Sequence, residues 1–317
     1  MKDAFLAVDA GNTKTWAGVT TADGELLGLA RGGVGDIYAP AGPEAAKSVV
    51  LGLVGDVLDS AGLQSSDIRH AAFRLAGVDW PVDGEFWEAA LPFGSFSVKN
   101  DGFALIRCGR LDGQGISVVL GTGAALAGRG PVKEWALSWW LQHPLGGAGL
   151  VSEALRAVYL AELGLGESTK LGAVLPPLFG ASTPEEMLET TTRRGNTVSF
   201  ASLAAHAPSV LALIDDDPVV AGLVETQTER LADYIETLAR TCGLTDPVTV
   251  VVGGGLVREP EAPLFTALRR TCSRRELVLD LQHTHDPALL GALLDAIAEG
   301  GADPTEIART RLTQKLK

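Results

Sequence analysis

Cysteine is scarce here: three residues in 317, Cys108, Cys242 and Cys272, far apart and never in a Cys-x-x-Cys spacing. A disulfide framework and a cysteine-ligated zinc or iron–sulfur site are therefore not expected, and a reducing cytoplasm is the expected setting. Long apolar runs are missing too, since no stretch reaches membrane-spanning length without Gly, Pro or a charge. Met1-Lys2-Asp3 leads straight into strand-like residues, so no signal peptide is expected. Positive charge is in deficit, with 26 Lys and Arg against 39 Asp and Glu and a net charge of −13. Nucleic acid and anionic membranes are poor partners for such a chain. A small anion held by backbone amides stays open, because amides carry no formal charge.

What is present is an ordinary folded composition, 46% apolar and 21% charged, in a chain long enough for two medium domains. Two glycine turns stand out. Phe5-Leu6-Ala7-Val8 runs into Asp9-Ala10-Gly11-Asn12-Thr13-Lys14-Thr15, and Ile116-Ser117-Val118-Val119-Leu120 runs into Gly121-Thr122-Gly123-Ala124. In both, a buried-type strand ends in small residues and an apolar segment follows at once. Glycines with hydroxyl neighbours let a backbone approach an anion and aim N–H groups at it. One such turn is weak evidence; two suggest a pair of clamps on one polyphosphate, the requirement of a nucleotide-dependent phosphotransferase.

The remaining pattern places these turns. Strand-like runs at Phe5–Val8, Thr15–Thr20 and Leu26–Ala30 precede a glycine-rich loop, Gly32–Asp36, and a helix with Pro43 near its start and Ala61-Gly62 at its end. Short strands follow at Ala71–Leu75 and Ser95–Lys99, around a helix near Gly84–Ala90. Asn100-Asp101 closes the second and opens a helix through Phe103–Cys108. The order restarts at Ile116, which predicts two related α/β halves divided near Leu111–Gly115. Helices are expected at Gly149–Glu162, Val219–Cys242 and Ala288–Ala298. The last of these returns to the first half and leaves a polar tail after Gly300. The strand Val248–Val252 runs into Gly253-Gly254-Gly255, read as opening a helix.

Asp9–Thr15, Leu75-Ala76-Gly77-Val78-Asp79, Val98-Lys99-Asn100-Asp101, Gly115–Gly123, Gly253-Gly254-Gly255 and Pro287–Leu294 together resemble N-acetylglucosamine kinases. They are also similar to the ATPases that include the benzoyl-CoA reductase activators; both groups belong to the actin-like sugar-kinase superfamily. The absence of paired cluster cysteines favours the sugar-kinase branch, and a repressor-type sugar kinase would show a clustered Cys zinc motif. The opening is similar to type III pantothenate kinases as well, which the other motifs fit less well. The resemblance implies an α/β fold of two ribonuclease-H-like (actin-like ATPase) domains facing across a nucleotide cleft. They are expected at residues 1–114 and 115–287, with 288–317 packing back on the first. It implies ATP and Mg²⁺ as cofactors, a sugar as acceptor, a cytoplasmic location and a homodimer.

Each candidate residue has two readings. Asp9 either stabilises its own turn or positions Mg²⁺ through water. Gly11, Asn12, Thr13, Lys14 and Thr15 would take the β- and γ-phosphates, Gly121, Thr122 and Gly123 would form the second clamp, and Gly253, Gly254 and Gly255 would approach the nucleoside side or merely turn the chain. Asp101 reads as a helix N-cap in isolation; the resemblance makes it the general base for a sugar hydroxyl. Candidate sugar contacts are Asp36, Asp79, Asn100, Asp101, Trp140 and His143. Trp135, Trp139 and Trp140 fall within six residues and suit either a pyranose face or a core or subunit contact. The sequence departs from the family pattern in three places: Asp36 for Asn, Ala124 for Ser, and His143-Pro144 for an Asp-Glu pair that helps bind the sugar. Those departures keep two alternatives in view: a non-catalytic sugar or nucleotide sensor on a kinase fold, and an ATPase coupled to a partner protein. His283, His285 and Asp286 have a metal-like spacing but read as structural.

Overall fold

The computed structural model describes residues 3–193, 195 and 198–316. β1 (Ala4–Ala10), β2 (Thr15–Thr21) and β3 (Leu26–Gly32) form an antiparallel meander. α1 (Pro43–Ala61) begins on the proline and stops at Gly62, whose left-handed conformation costs a residue without Cβ little. Its stripe of Val50, Leu53, Val54 and Val57 is buried over the meander. β4 (Ile68–Leu75) and, after α2 (Pro81–Glu88), β5 (Phe96–Asn100) then join in parallel, giving a sheet of order β3-β2-β1-β4-β5.

The expected helix through Phe103–Cys108 is instead a 3-10 turn, Asp101–Phe103, followed by a one-turn α3 (Ile106–Gly109). Glycines bracket this segment at close approaches to the second sheet. A Cβ on Gly102 would stand 3.3 Å from that of Ala127, and one on Gly109 would collide with Val251. Glycine also interrupts helix propagation.

The second half repeats the plan, as the restart at Ile116 predicts. β6 (Gly115–Leu120), β7 (Ala124–Arg129) and β8 (Glu134–Ala136) form the meander. A helical insertion follows: α4 (Gly146–Glu162), α5 (Leu171–Leu178), α6 (Pro184–Thr192), α7 (Phe200–Ala205), α8 (Ala207–Leu211) and α9 (Pro218–Cys242). β9 (Val248–Gly253), α10 (Pro263–Arg274) and β10 (Leu279–His283) complete a sheet of order β8-β7-β6-β9-β10, with β6, β9 and β10 parallel. Strand order and direction are thus the same in both sheets. Gly253-Gly254-Gly255 does not open a helix; α10 begins only at Pro263.

α11 (Ala288–Glu299) crosses back to the first sheet. All of its residues from Leu289 to Ile297 are buried, among them Leu289, Leu293 and Leu294 in one core with Phe5, Ala7 and Ala72. A helix apolar all round is buried all round. Where a polar tail was expected, α12 (Glu306–Leu316) forms, because Ala308, Leu312 and Leu316 recur at the four-residue step and are buried. Three residues are a faint stripe in a polar sequence.

Candidate active site

The carboxyl ends of β1, β4 and β5 lie level: Ala10 is in register with Leu75, and Leu75 with Asn100. The Gly11 turn, Asp79 and Asp101 therefore emerge along one edge of the first sheet. In the second sheet β6 and β9 end together, with Val119 beside Gly253. Ligands of open α/β sheets bind beyond such carboxyl ends.

The first glycine turn is closed by the Gly11 amide on the Lys14 carbonyl at 3.0 Å and tied to the following loop by the Gly35 amide on the Gly11 carbonyl at 3.3 Å. Asn12, Thr13 and Lys14 are exposed. The Lys14 ammonium sits 5.3 Å from the Trp16 ring centre and acts on Asp9. Thr15 is not with them. It is fully buried in β2, and its hydroxyl donates to the Gly33 carbonyl at 2.8 Å, so it braces the loop instead of facing the opening.

The other two glycine turns meet at the end of β6. The Leu256 amide donates to the Leu120 carbonyl at 3.0 Å, and the first amides of α4, Gly147 and Ala148, donate to the Gly121 and Thr122 carbonyls at 2.9 Å. The Gly121 amide is itself closed on the Gly123 carbonyl at 2.9 Å, so the turn is fixed from within as well as by the helix. Gly254 (φ 111°) and Gly146 (φ 73°) are needed by the fold: a Cβ would strike the Leu120 carbonyl in one case and the Gly123 carbonyl in the other. Gly253 is likewise packed, against Leu105 and Thr284. Gly121, Gly123 and Gly255 are different. None has a left-handed φ, and a Cβ on any of them would meet nothing within 4 Å. Neither backbone nor packing calls for glycine there, whereas a ligand seated against the backbone would.

Four aspartates gather at the edge of the first sheet. Burial pushes the Asp101 carboxyl up to about 7, with the charges of Asp9, Asp79 and Asp36 adding to the effect. Burial likewise raises Asp9 to about 6, against the pull of Lys14. Asp79 is raised by burial, and the charges of Asp83 and Asp36 add to it. Asn100, not Asp101, caps the 3-10 turn: its Oδ1 accepts the Gly102 amide at 2.8 Å. The cap position thus belongs to Asn100, while the Gly102 amide also bonds the Asp101 carboxylate and works against the rise in its pKa. Asp36 is buried and accepts the Tyr38 amide at 2.8 Å. The sequence reading passed over Tyr38 and Asp83. Tyr38 donates its hydroxyl to Asp83 at 2.9 Å, and burial with that bond pushes the phenol up to about 12. Asp83 also accepts the Asp79 and Trp80 amides at 3.0 and 2.8 Å, so it fixes where Asp79 stands. The signal available for it was its place at the third position of a helix.

A cavity of about 320 Å³ opens between the two sheets, with Asp79, Lys99 and Asn100 on one side and Glu134, Trp135, Trp139 and Trp140 on the other. His143 is not part of it. Its ring nitrogen Nδ1 lies 3.0 Å from the Tyr234 hydroxyl on α9, which also accepts the Gln142 amide. His283 is hydrogen-bonded to the Val257 carbonyl at 2.6 Å.

A divalent cation fits Asp9 in one way. Among the described residues no group of three or more His, Cys, Asp or Glu is arranged to hold a metal, so a protein cage is not offered. Mg²⁺ needs none: it keeps several waters and binds through one or two carboxylates plus phosphates. The half-buried carboxylate of Asp9, raised to about 6 by desolvation, is the kind of group a nearby cation would relax.

No protein-family model matches the sequence, and no curated protein matches it. Solved structures do. The Chromobacterium violaceum protein provisionally named an N-acetylglucosamine kinase is 25% identical, with a TM-score of 0.69 over 92% of this chain and 98% of that one. Its Porphyromonas gingivalis namesake is 19% identical, with a TM-score of 0.65 over 92% and 98%. A ROK family glucokinase of Streptomyces griseus, solved with glucose and AMPPNP, is 18% identical, with a TM-score of 0.55 over 93% and 99%. The chain has the two-domain fold of the actin-like ATPase superfamily, shared over nearly its whole length with the Chromobacterium violaceum structure.

Proposed function

We infer that the protein is an ATP-dependent kinase that phosphorylates a hydroxyl of an amino sugar, of the N-acetylglucosamine or glucosamine type, or of a related hexose. One observation carries this reading: the open glycines Gly121, Gly123 and Gly255 occur in a chain that also sets a high-pKa Asp101 among three other aspartates. Gly11 to Lys14 and Gly121 to Gly123 hold the phosphates by backbone amides, with Gly255 near the nucleoside end. When bound, Mg²⁺ neutralises charge on the phosphates, and Asp9 is the residue to hold it through water. Asp101 accepts the proton of the acceptor hydroxyl as the phosphoryl group transfers in line. Asp36, Asp79 and Asn100 hold the sugar, and Trp140 packs on it.

The two units, 1–114 and 115–287 with 288–317 returned to the first, would close on the ligands and exclude water. The setting is cytoplasmic and the assembly a homodimer. In support of the setting, the three cysteines are free, and no helix of the described residues is long and apolar enough to cross a membrane. The position of His143, tied to Tyr234 where the family has an acidic pair, favours a sensor as the second reading. The test is ADP release with Mg·ATP across glucosamine, N-acetylglucosamine, N-acetylmannosamine and glucose, with a sugar-free blank. Turnover with one sugar supports the kinase. Sugar-independent hydrolysis supports a partner-coupled ATPase, and ligand stabilisation without turnover supports the sensor.

A further inference from the structure

The aromatic rings at the cavity continue past it. Trp80 is 46% exposed, Trp139 57% and Trp140 60%, and all three line the cavity. Tyr38, 51% exposed, meets Trp139 edge to face at 6.1 Å. These four are every exposed tryptophan and tyrosine of the described residues. They come from both halves of the chain, and the Tyr38–Trp139 contact bridges them. A cluster of exposed rings around a polar cavity is the mark of a binding surface more than of scattered surface apolarity.

Size separates the inside of the cavity from its rim. At about 30 Å³ of liquid volume per water, about 320 Å³ holds on the order of ten water-sized groups, close to the roughly twelve non-hydrogen atoms of one hexose. One sugar ring fills it. Asp79 and Asn100, the residue before Asp101, line one wall of it, and Trp80 and Trp139 reach out from its lining with about half of each residue uncovered. Anything stacked on their exposed faces is a second unit. The rim also carries the Lys99–Glu134 pair at 2.8 Å and Gln142, whose amide donates to the Trp139 carbonyl at 2.6 Å. Aromatic faces beside exposed hydrogen-bonding groups suit a pyranose, with its apolar face and hydroxyl edge, better than a purely apolar substituent.

We propose that the preferred acceptor is a disaccharide or longer glycoside, with the ring to be phosphorylated in the cavity against Trp140 and a second pyranose ring stacked on Trp80 and Trp139. This rests on the sugar-kinase reading, and binding measured apart from turnover keeps the two separable. The full chain is titrated, without nucleotide, with glucosamine, N-acetylglucosamine and glucose and with their β-1,4-linked disaccharides, following heat and tryptophan fluorescence. Phosphorylation of the same six sugars by Mg·ATP is then measured. At least one disaccharide is expected to bind about tenfold tighter than its monosaccharide, a preference that Trp139→Ala and Trp80→Ala reduce and Trp139→Phe largely keeps. Thermal melting of each variant shows that it is folded, and light scattering reports its mass.

Monosaccharides that bind as well as disaccharides, or a preference untouched by both alanine variants, overturn the proposal even if a monosaccharide is phosphorylated. Trp139→Ala that halves the mass of the particle without changing any sugar preference also overturns it, by making the rim a subunit contact. Tight disaccharide binding with no phosphorylation of any sugar supports the second-ring subsite and removes the kinase reading instead.

Discussion

Asn100 holds Asp79 by a hydrogen bond from its Nδ2 to the Asp79 Oδ1 at 2.8 Å, while its own Oδ1 caps the turn that carries Asp101. One side chain thus sets two carboxylates of the candidate site. Asn100→Ala leaves the buried Gly102 amide without its acceptor, at a cost of about 1–3 kcal/mol, and lets Asp79 swing. The expected outcome is a lower urea midpoint together with a raised sugar KM and a lowered kcat. Wild-type kinetics in a destabilised variant would reduce Asn100 to a cap.

Asp101→Asn is expected to lower phosphoryl transfer by ~10²–10⁴-fold and to leave Mg·ATP affinity within a few-fold. Because the Asp101 carboxyl stands near 7, the base form accumulates only as pH rises through that value. The kcat/KM profile should therefore climb across about pH 7, well above the ordinary carboxylate range. Asp36→Asn removes one of the charges that raise it, so the limb should move to lower pH. A limb that stays in place in Asp36→Asn would separate the two groups.

The glycines sort into two classes with opposite readouts. Gly121→Ala and Gly255→Ala place a Cβ in open space at an ordinary φ, so melting temperature should hold while ATP affinity drops. Gly254→Ala and Gly146→Ala force a left-handed φ and a carbonyl collision, a strain of about 1–3 kcal/mol or more. Those two should unfold earlier before any change in affinity is read. Equal melting temperatures across all four variants would contradict the division.

Much of this was legible in the sequence, and what was not has physical causes. β1, β6 and β9 are buried on both faces and read as apolar runs, and Gly11 and Gly121 follow at the ends of the first two. β8, three residues with none fully buried, carries no pattern to read. Gly253 and Gly254 looked like a nucleotide turn but answer to packing against Leu105, Thr284 and the Leu120 carbonyl, contacts set by distant segments. Thr15 was misplaced because strand and turn residues alternate in facing, and its side chain falls on the buried side. Least visible of all were the partners of Asp295, since Arg74, Arg107 and Arg129 come from three separate elements.

Asp295 on α11 gives the last prediction. Fully buried, it accepts from Arg74 on β4 at 2.9 Å, Arg107 on α3 at 2.6 Å and Arg129 on β7 at 2.8 Å, so one carboxylate ties both sheets to the returning helix. Burial alone would raise its pKa, but Arg74 and Arg129 outweigh burial and hold it at about 2. Asp295→Asn removes the shared anion of three guanidinium groups, leaving Arg74 to Glu299 and Arg129 to Glu134 while Arg107 loses the carboxylate it pairs with. Breaking a buried pair costs about 3–5 kcal/mol. The sign with pH follows from the depressed value. The stabilisation is fully present above the unfolded value of 3.8 and is lost as pH falls through about 2. Urea midpoints of wild type and Asp295→Asn should therefore lie far apart at pH 7 and converge between pH 4 and 2, as the wild-type carboxylate takes up its proton. A gap that keeps its full width down to pH 2 would mean that lost shape, not lost charge, is what the substitution removes.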